Sequence, residues 1–446
     1  MRSWFRLAAL LAISPSVGVG QDLAQPASGA HPSFWQAAGG VLAANGLTWG
    51  YNWYVQRWPW ANVGTRSWAT NIGDGFVWDN DCFVDNQLAH PYHGSFYLGS
   101  ARASGYGFWS SVPFVAAGSA SWELFFENVR PSINDFVNTT LGGVALGEVT
   151  FRLSSLLLSR QSRGGEGVGR QAAGFALSPL ARAQALLLAP SGALEAAAQQ
   201  PATHVTNVAI GRLLDRNEPL GEEAGRGFVQ LAVEYGSPFD KGSFRPYDAF
   251  EFHIQLSRGP GAAVNRLGVS GLLARREIQQ APRKQVILGL FQHYDYVDAP
   301  AFEFGGQSLS GAWLYRRNLG SRVQVDVGAH LETLLLGAIS SDHGNYFRRD
   351  YDYGPGGGGR LSASLRRDGR ELIHLEQRVI WLHSLHGAQA DHMITQALLG
   401  AALPLGRLIQ LGGDISLMTR SSWYRGFTPN TRNASQLRTY LVLSPS

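Results

Sequence analysis

Apolar and polar residues alternate strictly along several segments in the C-terminal half of the chain. Every even position of residues 250–257 is apolar and every odd position polar, and residues 322–332 follow the same rule with opposite parity. A period of two is typical of β-strands that have one apolar and one polar face. Noisier alternation, broken by turn residues, brings the total after residue 203 to about a dozen strands, and an even number can close into an up-and-down barrel.

Two folds fit this alternation. A soluble β-sandwich buries its apolar faces against each other, whereas a membrane barrel turns its apolar face toward lipid. The number and length of the strands, together with an N-terminal export signal, favour the membrane barrel. We therefore predict an all-β transmembrane β-barrel of about 12 antiparallel strands over residues 203–446.

The pattern differs in the N-terminal half, where apolar residues recur every three to four positions, as they do in helices. Residues 34–56, 106–127 and 133–158 predict helices. We expect a helical, aromatic-rich domain over residues 31–160 that plugs the barrel or lies beneath it, and a Gly- and Ala-rich connector over residues 161–202. The dense tryptophans of this half suit either a membrane interface or a tightly packed aromatic core.

The first residues have the pattern of a targeting segment. Arg2 and Arg6 precede the apolar residues 7–13, and small residues follow Pro15. This order is typical of a secretory signal peptide, which we place at residues 1–20. Beyond it, no stretch of about 20 residues is uninterruptedly apolar, so a polytopic helical membrane protein is disfavoured.

Composition narrows the class further. Charged residues make up 16% of the 446 positions and aromatic residues 11%. This composition is too apolar for a disordered chain. The single cysteine, Cys82, excludes an intramolecular disulfide and any multi-cysteine metal site. The net charge is +4 without a basic run, so we expect membrane lipids rather than nucleic acid as the partner, and protein partners remain open.

A set of closely spaced motifs runs from residue 78 to about residue 160. The residues that carry them are Trp78-Asp79-x-Asp81-x-Phe83-x-x-Asn86, His90-Pro91-Tyr92-His93-Gly94-Ser95-x-Tyr97, Trp122-Glu123, Pro131-Ser132-Ile133-Asn134-Asp135 and Asn138-Thr139-Thr140-Leu141-Gly142-Gly143-x-Ala145-Leu146-Gly147-Glu148. In these residues the stretch resembles a bacterial family known as domain of unknown function 3943. The resemblance implies an exported protein of the outer membrane with a β-rich region after the domain, and it implies no biochemical activity.

Three titratable residues of these motifs form a candidate catalytic cluster, namely His90, Glu123 and Asp135. Imidazole and carboxyl groups that converge can act as general base and general acid. We expect such a cluster to act on acyl or phosphate groups of an envelope lipid only if the three side chains lie within hydrogen-bonding distance.

Each member also has a structural alternative. His90 can be a hydrogen-bonded packing residue. Glu123 can pair with Arg102 or Arg130. Ser132 has the spacing of a helix N-cap, with the aspartate in the first turn. The close glycines of the last motif predict that two helices approach each other closely.

Other motifs carry less chemistry. The acidic residues between positions 79 and 86 do not have the spacing of a calcium loop, so we expect no metal. Residues 354–359, a Gly-Pro-Gly-rich run, predict a flexible turn. No nucleotide-binding or known hydrolase signature occurs in the sequence, and we expect no cofactor.

The polar face of the predicted strands bears charged residues that would point into the barrel lumen, namely His253, Asp326, His330, Glu332, His374, Glu376 and Arg378. They can form a charged network that fills the lumen or a lipid-processing site. We predict an outer-membrane barrel with an envelope-structural role or small-solute passage, and the alternative is an outer-membrane enzyme that acts on a lipid.

Overall fold

The computed structural model describes residues 32–159, 165–187, 204–218, 223–258, 263–343 and 350–444. The predicted signal peptide at residues 1–20 lies outside this part of the chain, as does most of the second half of the predicted connector.

Within these ranges, twelve antiparallel strands form one closed barrel, in which each strand pairs with its sequence neighbours and β1 pairs with β12. The first six strands are β1 (His204–Glu218), β2 (Glu223–Tyr235), β3 (Phe250–Ser257), β4 (Val264–Ala281), β5 (Lys284–Ala299) and β6 (Phe302–Leu319). The last six are β7 (Val323–Ser340), β8 (Tyr351–Arg367), β9 (Arg370–His383), β10 (Ala390–Pro404), β11 (Ile409–Tyr424) and β12 (Asn430–Leu443). The predicted barrel of about twelve strands is confirmed.

The two ends of the barrel differ. β1 begins and β12 ends at the same end, which we call the terminal end; the opposite end is the loop end. At the terminal end four of the five connections between strands are two to four residues long. The fifth, residues 236–249, folds back into the barrel mouth, where Gln285 and Arg316 of the inner wall donate hydrogen bonds to Phe239 O and Ser237 Oγ.

Side-chain alternation sorts each strand into a lumen face and an outer face. Arg378 of β9 contacts Asp295 of β5 at 2.6 Å, although four strand steps separate them, so both point into the lumen. Their neighbours along the strands therefore point outward. The outer wall is apolar and exposed over much of its surface, as Ile210, Leu417 and Leu437 show.

Among the described residues, eight α-helices precede the barrel. They are α1 (Phe34–Gly50), α2 (Thr65–Asp74), α3 (His90–Ala103), α4 (Phe108–Phe125), α5 (Ile133–Val137), α6 (Gly143–Ser159), α7 (Gly165–Leu177) and α8 (Pro179–Leu187), and π-helical turns at Tyr51–Gln56, Asp85–Ala89 and Asn138–Gly142 adjoin α1, α3 and α6. Helices α7 and α8 fall in the predicted connector. None of these helices combines the length and the apolar character needed to cross a bilayer.

The helical domain lies against the outer wall of the barrel. Tyr294 of β5 donates a hydrogen bond to Gln87 O, and Gln307 of β6 donates one to Asn138 Oδ1. Tyr294 neighbours lumen-facing Asp295 and therefore points outward. The prediction that the domain plugs the barrel or lies beneath it is therefore wrong. The physical reason is that apolar side chains of the outer wall bury the helices as well as an interior site would.

Two glycines permit the closest helix contact of the domain. Gly94 of α3 faces Gly143 of α6, and a Cβ on Gly94 would lie 2.0 Å from Thr139 O. Only a residue without a side chain lets the two backbones approach this closely. The close helix approach predicted from the glycines of the motif is present.

A second glycine-rich run contradicts its prediction. Residues 354–359 lie inside strand β8 and do not form a turn. A Cβ on Gly356 would lie 1.9 Å from Trp381 O, and one on Gly358 would lie 2.1 Å from Val379 O. These glycines allow β8 to approach the β9 backbone closely, which is a recognised use of glycine within strands.

We predict that Gly94→Ala destabilises the helical domain by about 1–3 kcal/mol or more, because the added methyl group meets backbone atoms that cannot move aside. Thermal unfolding followed by circular dichroism at helical wavelengths measures the loss. The control is Gly46→Ala in α1, where the new Cβ has open space and should be neutral or slightly stabilising. Equal melting temperatures for both variants would contradict the close contact.

Candidate functional site

The motif residues meet in a buried polar network at the seam between the helical domain and the barrel. The Asn134 side-chain amide lies at its centre and has three acceptors within 3.0 Å, on Asp79, Asn86 and Asp135. The Asp79 backbone N–H donates to Asn134 Oδ1 in return. One asparagine therefore holds together a loop, a π-helical turn and α5.

The barrel contributes to the same network. Asn86 donates a hydrogen bond to Tyr351 Oη at 2.9 Å, and Tyr351 Oη donates to Asp81 O at 2.5 Å. Tyr353, two residues further along β8, accepts hydrogen bonds from Gln87 and Asn138. Both tyrosines are buried on the outer wall, so the network spans the seam.

Two π-helical turns aim the network side chains. Asp85–Ala89 carries Asn86 and Gln87, and Asn138–Gly142 carries Asn138 and Thr139. A π-turn widens the helix by one residue per turn and changes the direction of its side chains, and such turns occur often at functional sites.

His90 and Asp135 lie together as predicted for the candidate cluster. The distance from His90 Nε2 to Asp135 Oδ1 is 3.6 Å, and His90 Nδ1 lies 3.1 Å from Thr139 Oγ1. This order of threonine, histidine and aspartate has the form of a hydrolytic triad. Thr139 is only 2% exposed, however, so its hydroxyl orients the ring and cannot reach a substrate from outside.

Glu123 is adjacent to the His90–Asp135 pair but forms its hydrogen bond with another partner. Its Oε2 accepts a hydrogen bond from the Ser132 backbone N–H at 2.8 Å, and the Ser132 hydroxyl accepts from the Asp135 N–H as an N-cap. The predicted ion pair of Glu123 with Arg102 or Arg130 is wrong. Each arginine meets a different carboxylate, because Glu123 already has a backbone donor within reach.

Burial and mutual repulsion set the charge state of these carboxyl groups. Burial raises the pKa of Glu123 and of Asp135 well above the ordinary range, and nearby carboxylates raise both further. Partial desolvation of its carboxyl group, together with the neighbouring Asp79 and Asp85 carboxylates, raises the pKa of Asp81 to about 6. Burial acts on Asp79 in the same direction, but hydrogen bonds from Asp135 and Asn134 outweigh it and lower its pKa.

The remaining motif residues have structural positions. His93 is buried beside Trp122, and Pro91 packs on Gly142. Tyr92 is partly exposed and stacks edge-on with Phe96. Pro131 O accepts the Val77 N–H, which joins the loop before the motif to α5.

A buried ion pair completes the domain. Glu148 accepts a hydrogen bond from Arg102 at 3.3 Å and one from Arg152 at 2.8 Å, the latter being the i,i+4 pair expected within one helix. Arg152 also contacts Asp248 of the barrel at 3.1 Å and donates to Pro246 O. Arg152, held by Glu148, thus anchors α6 to the barrel.

Sequence reasoning missed the barrel partners of this site. Tyr351, Tyr353 and Tyr294 give no signal because an outward aromatic residue on a strand has the same pattern whether it meets lipid or a helix. Asn86 and Asn134 lie within the motifs, and two asparagines so close to acidic residues are the available signal for a hydrogen-bond network.

The predicted lumen residues all lie on the lumen face. Arg378 contacts Glu332 at 3.0 Å as well as Asp295, and Arg366 joins Glu234 across the barrel at 2.7 Å. His330 lies within 3.1 Å of Ser310, which also contacts His293. The rest of the predicted set, His253, Asp326, His374 and Glu376, has the same lumen-facing parity on β3, β7 and β9.

The lumen changes character along its length. Toward the terminal end, Glu234 and Glu371 keep 38% and 40% of their side chains exposed, so water reaches this part. Toward the loop end, apolar side chains from many strands meet in the lumen with at most 9% exposure each. This apolar seal consists of Val297, Ala301, Phe302, Phe304, Leu334, Ile339, Ile380, Leu382, Ile394, Met418 and Ala434.

One protein-family model matches part of the chain. The family model for the domain of unknown function DUF3943 matches residues 75–180. No curated protein matches the chain at a significant level.

Solved structures resemble the barrel half. The NanC porin is 6% identical, and the similarity covers 53% of this chain and 100% of that one at a TM-score of 0.26. Pseudomonas aeruginosa OccK2 (OpdF), solved with glucuronate, is 12% identical over 55% and 98% at a TM-score of 0.20. The outer membrane channel DcaP of Acinetobacter baumannii is 6% identical over 55% and 98% at 0.23.

We predict that Arg378→Met destabilises the barrel by about 3–5 kcal/mol, because Asp295 and Glu332 would remain buried without their common partner. The temperature at which the compact form disappears on a heat-modifiability gel measures this loss. Arg367→Met is the matched control, since that side chain is 60% exposed and pairs with an exposed aspartate. Unchanged behaviour of the Arg378 variant would mean that the cross-lumen contacts carry little energy.

Proposed function

Because the domain at residues 75–180 has a family description without an activity, we propose a function from the geometry of the barrel, namely gated passage of small polar solutes across the bacterial outer membrane. The observation that carries the proposal is the division of the lumen into a charged, water-accessible part and the apolar seal. In the charged part of the lumen, a polar solute can replace its contacts with water by contacts with the charged wall. The apolar seal then stops it.

Apolar constrictions act as gates because water leaves a narrow apolar passage readily and returns when it widens. The seal consists of apolar side chains, whereas Arg378, Asp295 and Glu332 bridge the lumen next to it. A displacement of a few side chains such as Phe304 or Leu382 would open the seal. We infer that the seal is the movable barrier of the passage.

The orientation follows from the connections. In outer-membrane barrels the short turns face the periplasm and the longer loops face outward. The terminal end has the shorter turns and both ends of the barrel chain, so the water-accessible part of the lumen opens toward the periplasm and the seal lies on the outer side. The proposal includes that residues 1–20 act as a signal peptide that directs export of the protein.

The helical domain enters the membrane together with the barrel. It covers the outer wall on strands β2–β8, and its own surface exposes large apolar side chains, among them Trp35 at 82%, Leu47 at 67% and Tyr54 at 70%. An apolar area of this kind is stable next to lipid acyl chains and interfacial headgroups, for which aromatic rings are suited.

We predict that the double substitution Phe304→Ala and Leu382→Ala increases solute passage roughly tenfold, because it removes two large side chains from the seal. Swelling of liposomes that contain the purified protein, with sugars of graded size outside, measures the rate. The matched control is Leu375→Ala with Leu437→Ala, two exposed positions on the outer wall. A folded double variant that is as impermeable as the parent protein would overturn the passage function.

We predict that the exposed face of α1 contacts lipid. Leu42→Cys in a Cys82→Ser background, labelled with a fluorophore, should be quenched by brominated lipids about as strongly as Leu437→Cys on the barrel wall. Lys241→Cys, in the exposed connection at the terminal end, is the water-exposed control. Quenching of the Leu42 label at the level of the Lys241 label would place the helical domain outside the bilayer.

A further inference from the structure

We propose that Asp81, His90 and Asp135 bind a divalent transition-metal ion of the Zn²⁺ type at the seam between the helical domain and the barrel. This site is separate from the lumen and does not depend on the passage function. The ligand atoms of the three side chains all lie within 4.8 Å of one another.

The distance between histidine and aspartate fits a shared ion. Nitrogen and oxygen ligands of Zn²⁺ lie about 2.0–2.2 Å from the metal, which places two of them roughly 3.3–3.6 Å apart in a tetrahedral site. His90 Nε2 and Asp135 Oδ1 are 3.6 Å apart, longer than a hydrogen bond and within this range. Asp81 is exposed and can close the remaining gap by a small rotation.

Neighbouring side chains hold the three ligands in place. Thr139 Oγ1 contacts His90 Nδ1 and turns Nε2 toward the aspartate. The Asn134 amide donates to Asp135 Oδ1, and Tyr351 holds the Asp81 backbone carbonyl. Hydrogen bonds to the ligand side chains are typical of protein metal sites, where they set the tautomer of the histidine and the direction of the carboxylates.

The charge around the site points independently to a cation. Among the described residues, no arginine or lysine lies within 4 Å of the carboxylates of Asp81, Glu123 or Asp135, while each of the ion-paired arginines of the domain has another partner. Glu123 is 1% exposed, and its Oε1 has no hydrogen-bond partner among these residues. A divalent cation bound there would supply the counter-charge that no arginine or lysine provides, and it would displace protons from the carboxyl groups that it binds.

The ligand types select the class of ion. One imidazole with two carboxylates suits Zn²⁺ and the related first-row ions, whereas Ca²⁺ and Mg²⁺ take oxygen ligands only. Three protein ligands leave one coordination position open on the side of exposed Asp81, through which the ion can enter. Bound there, the ion would connect the loop at residue 81, α3 and α5, and through Tyr351 it would fasten them to the barrel.

The test uses the full-length protein purified in detergent, with the folded barrel verified by heat modifiability. After treatment with a chelator, the protein is titrated with Zn²⁺ by calorimetry and with Co²⁺ by visible absorption. We expect one ion per chain, a Co²⁺ spectrum of four-coordinate type, and a higher unfolding temperature of the helical domain with Zn²⁺ present. Affinity should fall at least tenfold in His90→Gln and in Asp81→Asn.

Asp81→Asn keeps the proposal falsifiable if the buried histidine variant does not fold, since the Asp81 side chain is exposed. His383→Gln is the matched control, because it removes an exposed histidine that lies 2.9 Å from Asp391 at the loop end of the barrel. Absence of stoichiometric Zn²⁺ binding by the parent protein would overturn the proposal. So would unchanged affinity in Asp81→Asn, or a loss of binding in His383→Gln equal to that in the other variants.

Discussion

Closure of the sheet between β1 and β12 is the constraint on which the rest of the structure depends. A closed sheet has no free edge, so its backbone groups are paired without help from water, as an apolar surrounding requires. Closure also assigns every strand residue to one of two faces. The lumen face carries the arginine and carboxylate pairs, and the outer face carries the apolar side chains. A shift of one strand by a single residue would turn its lumen-facing side chains outward and its outer side chains into the lumen.

The helical domain packs against a part of the outer face that lipid would otherwise contact. Over strands β2–β8 the wall meets helices rather than an exposed surface, and that seam contains both an apolar core and the network around Asn134. A polar network in such a place must be nearly complete, because neither acyl chains nor packed side chains supply hydrogen bonds to a group left over. This explains why so many motif residues are amides, hydroxyls and carboxyls placed on π-helical turns.

Much of the barrel could be predicted from the sequence, since a period of two determines both the strand and the face on which His330 or Arg378 lies. The partners of the outer face could not be predicted in the same way. Tyr294 and Leu437 both follow the period of two, although Tyr294 meets a helix and Leu437 does not. The glycines of residues 354–359 resemble a turn in composition and are required instead by the close approach of β9. The meeting of His90 and Asp135 is a hypothesis that motif proximity supports, whereas the partner of Glu123 depends on a local backbone N–H that no pattern reveals.

The attachment of the domain to the outer wall has a consequence for the order of folding. Asn86 and Tyr351 are 265 residues apart in the chain, and the helices leave the ribosome before any strand that they contact. The barrel-facing side of the helices therefore lacks its complete partner surface until β8 is in place, and contacts of such sequence separation form slowly. Until then their apolar faces are open to aggregation, which makes the export stage the period in which this chain most needs a holding chaperone.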